Sequence, residues 1–358
     1  MHGILQFQDG TIFEGISFGY EGDTGGELVF TTGMVGYPES LTDPSYAGQI
    51  LFCTYPLVGN YGVPSSSYWE SYKIHAAGLV VSTYNETPSH WQSEQSLSAW
   101  LKDQKVPALQ IKDTRKLAQK IRDEGAQLAR ISIVGAGSKP ARTAFWDPNK
   151  ENLVAQVSTA EPYTVGEYST SRKKKQIHIG IIDCGVKQNI TRSLVSRGVK
   201  VTVVPWDYDI FQLDEQIDGV VISNGPGDPK MVPETVKTVQ EVLKHGIPTL
   251  GICLGNQILA LAAGGDTYKL KFGHRSQNQP SLLEGTKRCY LTTQNHGFAV
   301  GDIPKGYKPW FTNANDNTNE GIIHTSKPFM SVQFHPEACP GPVDTNWVFD
   351  YYLEKVGL

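Results

Sequence analysis

Between residues 177 and 263 the chain alternates short apolar runs with stretches of helical pattern, and no other feature restricts its fold so tightly. Ile177-His-Ile-Gly-Ile-Ile, Val199-Lys-Val-Thr-Val-Val, Gly219-Val-Val-Ile-Ser and residues 247–252 read as buried strands. Helices are expected over 189–197, stopped by Gly198, and over 233–244. Strand, helix and strand at this spacing mean βαβ units, because parallel neighbours need a crossover to bring the chain back. The expectation is an α/β domain with a doubly wound, mostly parallel sheet. In such sheets ligands bind on the loops at the carboxyl ends of the strands.

The last of these strands runs into Gly251-Ile-Cys-Leu-Gly-Asn-Gln, and a helical stretch begins at once. Cys253 therefore sits on a sharp strand-to-helix turn with a glycine two residues away on each side. This is the cysteine counterpart of a nucleophile elbow, where side chains at the flanking positions would crowd the turn. The helix start offers unpaired N–H groups and a positive dipole end to a thiolate. That effect is worth about 0.3–1 kcal/mol, less than one pKa unit, so a base is also required. Ser331-Val-Gln-Phe-His-Pro-Glu supplies one: His335 follows a strand-like run, with Glu337 two residues on. In an extended chain both would point to one side, and the carboxylate would hold the imidazole in place. The loop Asn224-Gly-Pro-Gly-Asp-Pro lies on another carboxyl-end position, where the Gly227 and Leu254 N–H groups could stabilise an oxyanion. Gln294-Asn-His-Gly-Phe-Ala-Val is a polar segment whose plainest reading is a loop, and Cys184, at a strand end, reads as core packing.

The first third reads differently. Residues 4–8 and 11–15 flank Asp9-Gly10, a hairpin signal, and further strands are expected at 27–32 and 49–55. Helices are expected at 93–102 and at 113–124, the latter capped by Asp113 or Thr114 and ended by Gly125. Residues 158–176 lack an apolar period and end in the basic run Arg172–Lys175, so they read as a linker. The organisation expected is a β-rich mixed α/β domain at 1–157, a linker at 158–176 and an α/β domain at 177–358.

Net charge is −4 in 358 residues, which argues against nucleic acid as the main partner, and no apolar stretch approaches a membrane span. Five cysteines, an odd number without a C-x-x-C, argue against a disulfide framework and a zinc site. A reducing cytoplasm is the simplest reading.

Gly-Ile-Cys-Leu-Gly followed by His-Pro-Glu resembles the class I, triad-type glutamine amidotransferases. Ser223-Asn-Gly-Pro-Gly-Asp-Pro, the Gln294 segment, Asp113-Thr-Arg and Ile181-Ile-Asp-Cys-Gly-Val-Lys-Gln-Asn extend it. Thr32-Gly-Met-Val-Gly-Tyr-Pro-Glu-Ser-Leu-Thr-Asp-Pro-Ser-Tyr narrows it to the small, glutaminase subunits of carbamoyl-phosphate synthetase, because other amidotransferases lack that domain. The likeness runs from about residue 5 to residue 349.

The resemblance implies that Cys253 attacks the side-chain amide of L-glutamine, that His335 moves the proton and that Glu337 orients His335. It implies that glutamine is held by Ser45, Gly225, Gly227, Leu254, Gln257, Asn295, Gly297 and Phe298. Ser45 belongs to the N-terminal domain, which would put the glutamine site near the domain interface. It further implies a large partner subunit that receives ammonia through a tunnel and uses ATP, Mg and bicarbonate. This chain carries no cofactor in that scheme, and it lacks both G-x-x-x-x-G-K-[ST] and G-x-G-x-x-G. One departure stands inside the elbow: many members have histidine where this chain has Asn256. Two alternatives follow: a weakly hydrolytic, glutamine-binding scaffold subunit, suggested by Asn256, and an amidotransferase subunit of a different synthetase, against which the N-terminal third argues.

Overall fold

A computed structural model of the chain describes residues 1–134, 145–167 and 176–358. The basic run at 172–175 and Gly135-Ala-Gly-Ser-Lys lie outside the described residues. The chain forms two compact units, Met1–Glu151 and Asn152–Leu358.

The first unit is built on seven strands: β1 (His2–Phe7), β2 (Ile12–Ser17), β3 (Thr24–Thr31), β4 (Gln49–Cys53), β5 (Gly78–Val81), β6 (Ala108–Gln110) and β7 (Gln127–Val134). They close into a barrel in the order β1-β2-β6-β5-β4-β3-β7. Asp9-Gly10 joins β1 to β2 as the hairpin signal required, with Gly10 at φ +90°. β4 lies between two parallel neighbours and is buried on both faces. Successive residues therefore feed different cores. Ile50 and Phe52 join Leu5, Leu28, Val80 and Ile131, while Leu51 joins Val29, Leu79 and Trp100. Among the described residues three α-helices belong to this unit: α1 (Tyr37–Thr42), α2 (Leu97–Asp103) and α3 (Thr114–Glu124). Asp113 caps α3 by accepting from the Lys116 N–H at 3.2 Å, and Gly125 ends it at φ +94°. The second core also takes Leu97, Trp100 and Leu101 from α2 and Leu41 from α1. Ser45 is buried in the short 3-10 turn Pro44–Tyr46, its N–H bonded to Asp43 Oδ1 at 2.9 Å.

The second unit starts with α4 (Val154–Val157) and β8 (Tyr163–Val165), continues through β9 (His178–Asp183), α5 (Gln188–Val195), β10 (Lys200–Pro205), β11 (Gly219–Ile222), α6 (Pro233–His245), β12 (Thr249–Ile252) and α7 (Leu254–Ala262), and then enters β13 (Thr267–Leu283) and β14 (Cys289–Val300). β15 (Tyr307–Asn313), β16 (Asn319–His324), β17 (Phe329–Val332) and α8 (Trp347–Val356) close it. All ten strands share one sheet, ordered β14-β13-β15-β16-β17-β12-β11-β9-β10-β8. The central five, from β17 to β10, are parallel. Helices cover both faces. Ile190 and Leu194 of α5 and Val348, Phe349 and Tyr352 of α8 pack on one side with Ile179, Val201 and Leu250. Val239 and Val242 of α6 and Ile258 and Leu259 of α7 pack on the other with Ile182, Val204 and Ile222. This is the expected doubly wound arrangement.

Three local expectations need correction. The units divide after Glu151, not at 157, and the expected linker at 158–176 contains β8. Its three residues pair antiparallel with β10 at Val201–Val203, a contact made at long range that three residues cannot announce by period. The segment at 294–300 is not a loop. It is the second half of β14, whose polar side chains are buried because the residues around them satisfy them. The strand over 4–8 begins earlier and ends at Phe7, where Asp9 and Gly10 take over the turn.

Candidate active site

Four adjacent parallel strands, β9, β11, β12 and β17, end on the same side of the sheet, and Cys253, the loop at 224–229, and His335 and Glu337 follow the carboxyl ends of β12, β11 and β17. Cys253 follows β12 directly and caps α7. It has φ +55° and ψ −105°, a conformation that costs an L-residue about 1–3 kcal/mol and persists only where its surroundings enforce it. Those surroundings are visible. The Cys253 N–H donates to the Val332 carbonyl at 2.9 Å, and its carbonyl accepts from the Asn256 N–H at 3.1 Å.

The glycines explain how the turn fits. A Cβ on Gly251 would lie 2.4 Å from the Gly255 carbonyl oxygen, and one on Gly255 would lie 2.1 Å from that of Ile222 on β11. Neither backbone can yield without shifting a central strand. Gly255→Ala is therefore expected to destabilise the second unit by about 1–3 kcal/mol, read as a lower urea midpoint for loss of its amide protection. An unchanged midpoint would mean that the close approach is not needed. Gly225 is held as tightly: its Cβ would meet the Cys184 carbonyl oxygen at 2.0 Å and Leu254 Cδ2 at 2.9 Å. The loop after β11 thus packs against the elbow, with Gly227 at φ +84°.

His335 lies just beyond β17, tied by its N–H to the Thr293 carbonyl at 2.9 Å. Its Nδ1 donates to Glu337 Oε1 at 2.6 Å, and both side chains are buried. The two meet through a turn rather than along an extended strand. Burial pulls the His335 imidazolium down, but the charges of Glu337 and of the nearby Cys253 more than offset it and hold its pKa well above the ordinary histidine range. Nε2 has no hydrogen-bond partner among the described residues, and Cys253 Sγ faces the Asn295 carbonyl at 3.6 Å. Burial likewise pushes Glu337 up, and Lys187, then His335, bring it well below the usual carboxylate range.

Lys187 is the residue that motif reasoning passed over. It is buried, with Nζ 3.1 Å from Glu337 Oε1 and donating to the Ala338 carbonyl at 2.7 Å. Its placement is local chemistry: Asp183, at the end of β9, accepts from the Gly185 and Val186 N–H groups at 2.8 and 2.7 Å and shapes the turn. Asn224 Oδ1 then accepts from the Lys187 N–H at 3.0 Å. The available signal was its position, four residues past Asp183 on the same sheet edge. Asn189 adds a second brace, its Nδ2 donating to the Glu337 carbonyl at 2.5 Å.

Of the residues assigned to glutamine, Gly225, Leu254 and Gln257 cluster at the elbow, and Asn295, Gly297 and Phe298 lie on β14 beside it. Gln257 Nε2 joins the two groups by donating to the Phe298 carbonyl at 2.8 Å. Ser45 lies in the first unit. Cys184 is buried and its thiol is pushed up by burial, as a packing residue requires. All five cysteines are free.

Behind Asn295 and Phe298 lies a cluster that sequence reasoning missed. His274 on β13, His296 on β14 and Glu320 on β16 are buried, with ligand-type atoms within 4.8 Å of one another. Most of those atoms already serve protein partners. Glu320 accepts from Gln294 Nε2 and Asn313 Nδ2, both at 2.8 Å, and His296 Nδ1 donates to the Phe298 carbonyl at 2.7 Å. His274 Nε2 bonds Asp316 Oδ2 at 2.9 Å, and its Nδ1 lies 3.4 Å from Glu320 Oε1. Burial opposes a charge on His274, but Glu320 and Asp316 raise its pKa. The cluster braces the strand that carries Asn295–Phe298. Among the described residues no helix is long and apolar enough to cross a membrane.

Comparison with known proteins agrees with this layout. Residues 180–355 match the family described as Glutamine amidotransferase class-I, and residues 5–131 match Carbamoyl-phosphate synthase small chain, CPSase domain. The chain is 49% identical over 360 residues to the carbamoyl phosphate synthase arginine-specific small chain of Neosartorya fischeri, a match covering 98% of this chain and 78% of that one. The namesake from Aspergillus oryzae is 49% identical over 98% of this chain and 79% of its own length. That of Neurospora crassa is 48% identical over the same shares. With two units that each match their own half of the pattern, the chain belongs to the carbamoyl-phosphate synthase small chain family and carries a class-I glutamine amidotransferase domain.

Proposed function

We propose that the chain hydrolyses L-glutamine and delivers the ammonia to a large partner subunit, which makes carbamoyl phosphate from bicarbonate and ATP. The observation that carries this reading is Cys253 on a strained, glycine-flanked elbow beside a buried His335–Glu337 pair whose histidine favours the cationic form. An imidazolium is the partner a nucleophilic thiolate needs.

In this reading the Cys253 thiolate attacks the side-chain amide carbon, and the carbonyl oxygen takes the electron pair. Leu254 N–H, at the start of α7, and Gly227 N–H are the donors for that oxyanion; one such donor is worth about 2.7–4 kcal/mol in a transition state. The C–N bond then breaks as His335 gives its proton to the leaving nitrogen, and ammonia departs. Water attacks the resulting γ-glutamyl thioester, His335 takes the water's proton, and the C–S bond breaks to release glutamate. Gln257, Asn295, Gly297 and Phe298 hold the substrate's polar ends. ATP and Mg act on the large subunit, and the arginine-specific names of the fungal relatives favour the arginine branch for the product. A scaffold role is the weaker reading, because Asn256, which suggested it, has its own buried partners.

Rapid acid quench of the complex turning over labelled glutamine tests the proposal. Label is expected on a peptide containing Cys253. Glutamate formation with no label on that peptide at any time would overturn the thioester route.

A further inference from the structure

Asn256 sits on the first turn of α7, and its side chain is fully buried. Its Oδ1 accepts from Ser331 Oγ at 2.8 Å, and its Nδ2 donates to Gln333 Oε1 at 3.0 Å. Ser331 lies on β17, in register with Gly251 of β12. Gln333 stands two residues before His335. The same Gln333 oxygen accepts from Gln257 Nε2 at 3.1 Å, and Gln257 also reaches the Phe298 carbonyl. All four side chains are buried and none of them titrates near neutral pH. One connected set of amides and a hydroxyl thus links the helix behind the nucleophile to the strand that leads to the base, and ends on a residue assigned to glutamine.

We propose that Asn256, Ser331 and Gln333 form a neutral positioning array that sets Cys253 against His335 and aims Gln257 at the substrate. The proposal rests on the glutamine-hydrolysis reading above. Its logic is donor–acceptor polarity. Gln333 Oε1 receives two donors, which fixes that amide's orientation, and Asn256 must accept on one atom and donate on the other. A neutral imidazole offers the same pattern, an accepting ring nitrogen and a donating N–H. A histidine at 256 could therefore take the same two partners. A carboxylate at 256 could still accept from Ser331, but it could donate to Gln333 only when protonated.

The test uses the full chain with its large subunit and reads glutaminase kcat and KM across pH. Asn256→Leu and Gln333→Leu, each of which removes two buried hydrogen bonds, are each expected to raise KM for glutamine by about tenfold. The double variant should add little to the worse single, since the residues act as one unit. Asn256→His is expected to rescue the constants lost in Asn256→Leu. Asn256→Asp is expected to add an ionisation to kcat/KM, near wild type on the acid side and falling as pH rises. If the leucine variants do not fold, the histidine and aspartate variants still decide. Asn256→Leu with both constants within about twofold of wild type, Asn256→His no better than Asn256→Leu, or Asn256→Asp parallel to wild type at every pH would each overturn the array. A Cys253→Ala control separates the two readings: its retaining full glutaminase activity sinks the hydrolysis reading and the array with it. Loss of activity there, with a neutral Asn256→Leu, sinks the array alone.

Discussion

Cys253→Ser is expected to lower glutamine-dependent carbamoyl phosphate synthesis by the complex by at least about 10³-fold, while ammonia-dependent synthesis stays at the wild-type rate. The substitution changes one atom. The serine oxygen keeps the polar contact toward the Asn295 carbonyl and the same helix start, so the elbow persists. What is lost is the nucleophile's acidity. A serine hydroxyl gives up its proton far less readily than a thiol, and the charge of Cys253 is one of the two forces that favour imidazolium at His335. Without it burial weighs more heavily against the imidazolium, and only Glu337 still favours it. Ammonia supplied from solution bypasses this chemistry. Assaying both nitrogen donors on one preparation distinguishes a lost glutaminase from a lost complex. Glutamine-dependent synthesis surviving within about tenfold would remove Cys253 from the mechanism.

The second large effect belongs to Lys187. Lys187→Met is expected to destabilise the second unit by about 3–5 kcal/mol near neutral pH, because it leaves the Glu337 carboxylate buried without its main counter-charge. The effect depends on pH in a definite direction. Glu337 titrates near 4.5 in an unfolded chain and is held down to about 2 in the native one, with Lys187 the leading lowering influence. A group with a depressed native pKa stabilises the fold above its unfolded pKa, and that stability is lost as pH falls through the native value. The deficit of Lys187→Met should therefore shrink as pH falls toward 2, where Glu337 is protonated even in the native wild type. Hydrogen exchange on the amides of β9 and β12 reads it within the second unit. A constant deficit across that range would mean that Lys187 stabilises by packing its stem, not by its charge.

Much of the site was legible because its signals are local. A glycine on each side of Cys253 reports a crowded turn, and an apolar run ahead of it reports the strand that ends there. His-Pro-Glu placed a base and its carboxylate two residues apart, although they meet through a turn and not along a strand. Lys187 offered only its position, four residues past Asp183, and nothing along the chain named its partner. Its role comes from β9 ending beside β11, which brings Asn224 to its N–H and the chain at 337–338 to its ammonium. Burial in partnership gives β14 its polar face: Gln294 and His296 look like loop residues until Glu320, Asn313 and Phe298 are brought against them.

Sequence by itself determined the two-part organisation, the doubly wound sheet and the elbow, and it marked Cys253, His335 and Glu337 as the candidate nucleophile, base and carboxylate. Each rests on short-range spacing, glycine sterics or a period of apolar residues, all written along the chain. Tertiary structure alone decided which charges reach the buried Glu337, and what the asparagine at 256 does. Asn256 meets Ser331 and Gln333 across 75 and 77 residues of chain. Hydrogen-bond polarity between groups that far apart is set only when α7 packs against β17, and no local pattern encodes it.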